Sequence, residues 1–307
     1  MKIIPIVFAS DENFIMQTGV CIYSLLLSCG QDVQYDIHII TTSKEKFESF
    51  EGYVQLKKNP HCYSLNFIEA NNSFSDSYEV RDITKATYFR LLIPELLPKY
   101  DKIIYSDVDI IFKCSLNEIF DNIDLNDYYV AGVRSYIEDK VDYNYGKELG
   151  CMDSDYINAG FIILNCEKIR EDQIDLKWLE LSKRKFLYQD QDIINLSCDM
   201  RKYILPVKYN FTQQYYKALT THIFNDYNNV CENELKEAMC DGVIHYTGVK
   251  PWNSLCLGFE DWWYIYRQSP FFNINYYHDY VSSMVPMRKL SLKGRIKLFI
   301  KYFYDIR

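Results

Sequence analysis

Lys102-Ile103-Ile104-Tyr105-Ser106-Asp107-Val108-Asp109 is the stretch on which the reading of this chain turns. The β-branched and aromatic run Lys102–Ser106 predicts a buried strand, and it ends at two carboxylates one residue apart. Two anions at the end of an apolar strand are costly unless something cationic sits beside them. Along an extended chain the side chains of residues i and i+2 point the same way, so Asp107 and Asp109 can reach one ion. Mg²⁺ and Mn²⁺ prefer oxygen ligands and bridge such carboxylates to substrate phosphates. The competing reading of an Asp-x-Asp is a solvated loop or a helix cap.

On the N-terminal side, residues 3–9, 35–41 and 64–68 read as strands, and residues 14–28 and 44–58 as helices. Such alternation implies a parallel sheet with helices on both faces, and such sheets bind ligands at the carboxyl ends of their strands. Ser10-Asp11-Glu12-Asn13 follows the first strand and occupies one such place; Asp107-Val108-Asp109 occupies another. On the C-terminal side, strands are expected at 129–133 and 160–165, separated by a polar, Tyr-rich loop over 134–155 of a length that suggests a lid or a binding loop. A helix opening at Asp190 or Gln191, a buried strand at 243–246 and an aromatic segment over 252–272 complete the pattern, without internal repeat or low-complexity linker.

Hydrophobic residues make up 48% of the 307, enough for one large core, so a single catalytic domain over 1–286 is expected. The formal net charge of -8 argues against a nucleic-acid partner, which needs a basic face, and leaves small anions reached through a metal. The 28 tyrosines suit a sugar-binding cleft as well as an ordinary core. The ten cysteines show neither a CxxC pair nor zinc-finger spacing and read as buried thiols of a reducing compartment. The apolar run after Met1-Lys2 is too short for a signal peptide, and none approaches the roughly 20 residues that span a bilayer, so a cytoplasmic location is expected.

The tail, 287–307, differs in composition. Seven basic residues and one acid give it a local charge of +6, leaving -14 on the remainder. Leu292, Ile296, Phe299, Phe303 and Ile306 fall on one helical face, with Lys293, Lys297 and Lys301 adjoining it. Such a helix either lies on an anionic membrane surface as a peripheral anchor or packs on the domain itself.

Six blocks in order carry a family resemblance. They are Phe8-Ala9-Ser10-Asp11-Glu12-Asn13, Thr87-Tyr88-Phe89-Arg90-Leu91, the 102–109 stretch, Tyr156-Ile157-Asn158-Ala159-Gly160-Phe161, Tyr188-Gln189-Asp190-Gln191-Asp192, and His245-Tyr246-Thr247-Gly248-Val249-Lys250-Pro251-Trp252. Over about residues 3–260 the chain resembles glycosyltransferase family 8, which includes bacterial lipopolysaccharide galactosyl- and glucosyltransferases and glycogenin.

The resemblance implies an α/β fold of the GT-A type, a mixed, mostly parallel sheet flanked by helices. It implies retaining transfer of galactose or glucose from a UDP-sugar donor to a glycan or glycolipid acceptor, with Mn²⁺ or Mg²⁺ as cofactor. Asp107, Asp109 and His245 would hold the metal, with Val108 beside the donor. Ala9, Asp11 and Asn13 would contact the uridine, although Asp11 also reads as a helix N-cap. Arg90 would meet the donor sugar or phosphate, its alternative being an exposed helix charge. Asn158 and Ala159 would border the donor sugar or form a turn. Gly248 and Lys250 would serve the diphosphate, at a spacing one residue shorter than in many members. Trp252 would cover the pocket or belong to the core.

Asp190 and Gln191 would stand beside the anomeric carbon. A neutral amide is a poor nucleophile, so Gln191 would orient substrate or stabilise developing charge, and Asp190 or Asp192 would contact donor hydroxyls. Two other readings remain: a catalytically silent nucleotide-sugar-binding scaffold, and a metal-dependent sugar nucleotidyltransferase. The second would want a Gly-rich basic loop where Ser10-Asp11-Glu12-Asn13 stands.

Overall fold

In the computed structural model the described residues are 2–30, 32–58, 63–70, 85–151, 156–283 and 291–300. Among the described residues ten strands form two sheets. The first has seven strands in the order β3 (Tyr63–Glu69), β2 (Val33–Thr41), β1 (Lys2–Ala9), β4 (Lys102–Ser106), β7 (Ile157–Asn165), β6 (Val130–Arg134), β8 (Lys202–Ile204). Its pairs are parallel except those of β7, which runs antiparallel to both β4 and β6. The second is small: β5 (Ile110–Phe112), β10 (Val243–His245) and β9 (Phe211–Thr212), in that order. The mixed, mostly parallel sheet expected from the sequence is therefore present.

Strand alternation sorts side chains into two cores, one on each face of the large sheet. Ile4, Ile6 and Phe8 of β1, Ile104 of β4 and Phe161 and Ile163 of β7 join one cluster. Val7, Ile103, Tyr105, Ile162 and Leu164 join the other. Because both faces are buried, β1 and β4 read as nearly continuous apolar runs, whereas β2 alternates polar with apolar residues over Gln34–His38.

Several boundaries depart from the sequence reading. The helix expected over 44–58 is two, Lys44–Ser49 and Glu51–Lys57, because Phe50 is extended (φ -67, ψ 127) and stacks its ring on Phe271 at 5.9 Å. The loop expected over 134–155 contains a helix, Lys140–Leu149. Asp139 caps it by accepting from the N–H groups of Val141 and Asp142, and Gly150 closes it at φ 91. Residues 152–155 of that loop lie outside the described residues. β7 starts at Ile157, so Asn158 and Ala159 belong to a strand and not to a turn before one.

In the tail, Ser291 caps a helix at Leu292–Phe299, and Leu292, Ile296 and Ile300 are exposed. The flanking residues 284–290 and 301–307, among them Lys301, Phe303 and Ile306, lie outside the described residues. Among the described residues no helix is long and apolar enough to cross a membrane. Each described cysteine is a free thiol.

Candidate active site

β4 ends at Ser106, and the chain then bends through Asp107-Val108-Asp109 to enter β5 in the second sheet. This bend, and not the straight extension assumed for an i, i+2 pair, turns both carboxylates toward one point. The antiparallel register of β10 on β5 sets His245 opposite Ile110, and the Tyr246 N–H donates to the Asp109 carbonyl at 2.9 Å. The imidazole Nε2 consequently lies 3.3 Å from Asp109 Oδ1 and 3.9 Å from Asp107 Oδ2. Among the described residues this is the one cluster of three metal-ligating side chains, its ligand atoms all within 4.8 Å of one another.

The donor set fits a divalent cation on two further observations. Asn210 donates its amide N–H to Asn158 Oδ1 at 2.8 Å, so its Oδ1, 2.9 Å from His245 Nδ1, faces the imidazole as an acceptor. Nδ1 then carries the proton and Nε2 presents its lone pair to the carboxylates, the tautomer a ligand needs. Gly160, whose carbonyl accepts from the Asp107 N–H at 2.7 Å, leaves room beneath them. A Cβ there would come 2.2 Å from His245 Cε1 and 2.9 Å from Asp107 Oδ2.

Buried cations balance the carboxylates. Arg90 donates to Asp107 at 2.8 Å, to Asp190 at 2.9 Å and to the Ala159 carbonyl at 2.6 Å. Burial opposes its charge, but Asp107 and Asp190 outweigh that and hold its pKa above the usual range. It is neither an exposed helix charge nor a free cation in the cleft: its donors are spent on protein acceptors. Burial pushes Asp190 up to about 6, with Arg90 pulling down and Asp107 adding to the rise. Asp190 also accepts from the Thr87 hydroxyl at 2.8 Å. Asp109 is buried too, yet Lys250 and His245 together overcome that and keep its pKa far below the ordinary carboxylate value. Lys250 bonds both Asp109 and the Tyr246 carbonyl.

Above these groups opens a cavity of about 640 Å³. Ala9, Asp11, Val108, Asn158, Ala159 and Gly248 line it, as do Arg90, Asp190, Gln191, Lys250 and the metal-site triad. Gly248 sits at φ 81, where a side chain would be strained. Asp11 caps the short turn Glu12–Phe14, accepting from the Asn13 N–H at 2.8 Å, and still faces the cavity. Asn13 is exposed and is not among the residues lining the cavity. Trp252 lines the wall and packs edge-on against Phe14, so it is both pocket and core. Gln191 accepts the Ala159 N–H at its Oε1 and donates from Nε2 to the Tyr156 hydroxyl, both at 3.1 Å. Asp192, expected as a contact for donor hydroxyls, is wholly buried and lies outside the lining.

The sequence reading missed Asn210, Tyr105 and the side chain of Tyr156. Tyr105 donates to Asp107 at 2.6 Å, and its ring lies 4.4 Å from the Arg90 guanidinium carbon. Asn210 stands in no recognisable pattern; its role follows only from being carried beside His245.

The architecture is that of the GT-A glycosyltransferases. The galactosyltransferase LgtC, solved with donor and acceptor sugar analogs, superposes with a TM-score of 0.73 at 24% identity, over 90% of this chain and 99% of LgtC. The family model for Glycosyl transferase family 8 matches residues 5–256, and the chain belongs to that family. A putative glycosyltransferase of Haemophilus influenzae is 28% identical over 67% of this chain. The lipopolysaccharide 1,3-galactosyltransferase of Salmonella typhimurium is 26% identical over 81% of this chain and 73% of its own length. This chain spans 63% of the Haemophilus relative and 51% of another family relative.

Proposed function

We propose that the chain transfers galactose or glucose from a UDP-sugar to a glycan or glycolipid acceptor with retention of configuration, using a divalent metal, Mn²⁺ or Mg²⁺. The observation that carries this is the convergence of Asp107, Asp109 and His245 at the cavity wall, beside Asp190 and Gln191. Membership of the family and the lipopolysaccharide transferases among its relatives support the donor class.

The residues divide the work by position. Ala9 and Asp11, at the carboxyl end of β1, receive the uridine, where the carboxylate can accept from base or ribose. A divalent cation on the triad would neutralise the leaving diphosphate. Gly248 lets the backbone approach that diphosphate, and Lys250 adds a point charge. Asn158 and Ala159 border the sugar. Gln191 orients it or stabilises the positive charge that develops at its anomeric carbon, because a neutral amide is a poor nucleophile. Retention follows from attack on the face the diphosphate leaves, the departing phosphate oxygen accepting the acceptor's proton.

The tail reads best as a peripheral anchor on anionic membrane. Leu292, Ile296 and Ile300 are exposed and not packed away, and basic residues flank them in the sequence.

The deciding experiment measures UDP release from UDP-galactose and UDP-glucose with Mn²⁺, with and without chelator and an acceptor array. One donor should be consumed, and chelation should stop it. Tight nucleotide-sugar binding without turnover under any condition would favour the silent scaffold.

A further inference from the structure

We propose that Asp192 is a positioning residue that sets the orientation of the Gln191 amide through Tyr156. This rests on the transferase reading, in which Gln191 faces the reacting sugar. Asp192 is fully buried, one residue past Gln191, and is not among the residues lining the cavity, although its three partners are. Its Oδ1 accepts from the Tyr156 hydroxyl, and its Oδ2 accepts from the Tyr145 hydroxyl and from the Tyr188 N–H at 2.8 Å. With its O–H directed at Asp192, the Tyr156 oxygen accepts from Gln191 Nε2, while Gln191 Oε1 accepts the Ala159 N–H.

Every donor direction in this chain is determined. The Ala159 N–H belongs to β7 and can only donate, so Oε1 must face it and Nε2 must face Tyr156. Tyr156 can accept there because its O–H is directed at a carboxylate. The same carboxylate holds Tyr145, which belongs to the helix Lys140–Leu149 along the cavity wall. One buried anion thus fixes the amide beside the sugar and ties down a wall of the cavity.

The arrangement needs an acceptor at both carboxylate oxygens. In Asp192→Asn the amide oxygen must stay on the side of the Tyr188 N–H, which cannot turn, so the NH₂ faces Tyr156. The tyrosine hydroxyl then meets two donors and has no acceptor for its proton. The buried hydroxyl proton then stays unpaired unless the Gln191 amide turns to accept it, which sets its NH₂ against the Ala159 N–H, and either outcome disturbs the amide. Tyr156→Phe breaks the same link and leaves the carboxylate in place.

The test reads the Gln191 side-chain amide by ¹⁵N–¹H NMR of the full chain, its resonances identified by their loss in Gln191→Ala. Asp192→Asn and Tyr156→Phe should both shift that amide. Each should lower kcat on the order of tenfold to hundredfold, a misalignment effect, with UDP affinity changed less than about twofold. In the Gln191→Ala background the further loss from either substitution should vanish. Tyr145→Phe should leave the Gln191 amide in place. An unmoved amide in both variants, or an equal kcat loss with Gln191 absent, would overturn the proposal. If the wild-type chain turns over no UDP-sugar, the transferase reading fails, and the amide shift still decides the relay.

Discussion

Arg90 Nε lies 2.9 Å from Asp190 Oδ2, and the same guanidinium reaches Asp107 through Nη2 at 2.8 Å. One buried cation therefore joins the helix that carries Gln191 to the bend that carries the metal-site carboxylates. Arg90→Met leaves the buried Asp190 and the half-buried Asp107 without their cation and should destabilise the fold by about 3–5 kcal/mol in urea denaturation. Arg90→Lys keeps the charge, but one ammonium cannot span Asp107, Asp190 and the Ala159 carbonyl, so an intermediate loss is expected. Wild-type stability in Arg90→Met would contradict the bridging role.

Asp190 predicts a pH dependence of stability in the free protein. Its pKa in the fold is about 6, raised by burial against the pull of Arg90, whereas an unfolded Asp titrates near about 4. Between about pH 4 and 6 the folded chain holds a proton that the unfolded chain releases, so this group's contribution to stability falls as pH rises through that window and is constant above it. Asp190→Asn cannot titrate. Denaturation curves across the range should show wild type losing stability relative to the variant between about pH 4 and 6, with parallel behaviour at higher pH.

Gly160→Ala should damage the metal site without replacing a ligand. The added Cβ would fall 2.8 Å from His245 Nδ1 and closer still to Cε1, so the imidazole has to move off its line with Asp109. Asn210→Ala should act in the same direction by releasing the Nδ1 proton that fixes the tautomer. Mn²⁺ titration calorimetry should show affinity lowered by roughly tenfold to hundredfold in each, as for other residues that orient ligands. Unchanged Mn²⁺ affinity in both would remove the triad from the metal assignment.

The tail should bind anionic vesicles in a salt-sensitive manner. Each basic residue near such a surface contributes on the order of 1 kcal/mol, so several together offset the acidity of the rest of the chain. Co-sedimentation of the full chain with anionic and neutral vesicles is compared with a chain ending at Val285. The full chain should pellet with anionic vesicles at low salt, and the shortened one should stay in solution with UDP binding intact. Equal pelleting, or lost solubility in the shortened chain, would show instead that the helix packs on the domain.

The sequence by itself determined what depends on local order: where the longer strands run, that they alternate with helices, and that carboxylates and a histidine stand at strand ends; the short strands β5, β8 and β9 were not legible in it. β1 and β4, buried on both faces, are nearly continuously apolar and β2 alternates along its first half, so all three were legible. The order of the motif blocks identified the family. The helix Lys140–Leu149 was legible in principle from Asp139 and Gly150 at its ends, but its short, polar sequence hid it. Tertiary structure alone decided which groups meet. The register of β10 on β5 brings His245 to Asp109 across more than a hundred residues, and packing carries Asn210 to His245 and Tyr156 to Asp192. It also made Arg90, which lines the cavity, a buried bridge between carboxylates, and Asp192 an anchor for tyrosines where a donor contact was expected. The physical reason is that a residue's chemistry is written in its side chain, while its partners depend on sheet pairing and burial, which join segments far apart along the chain.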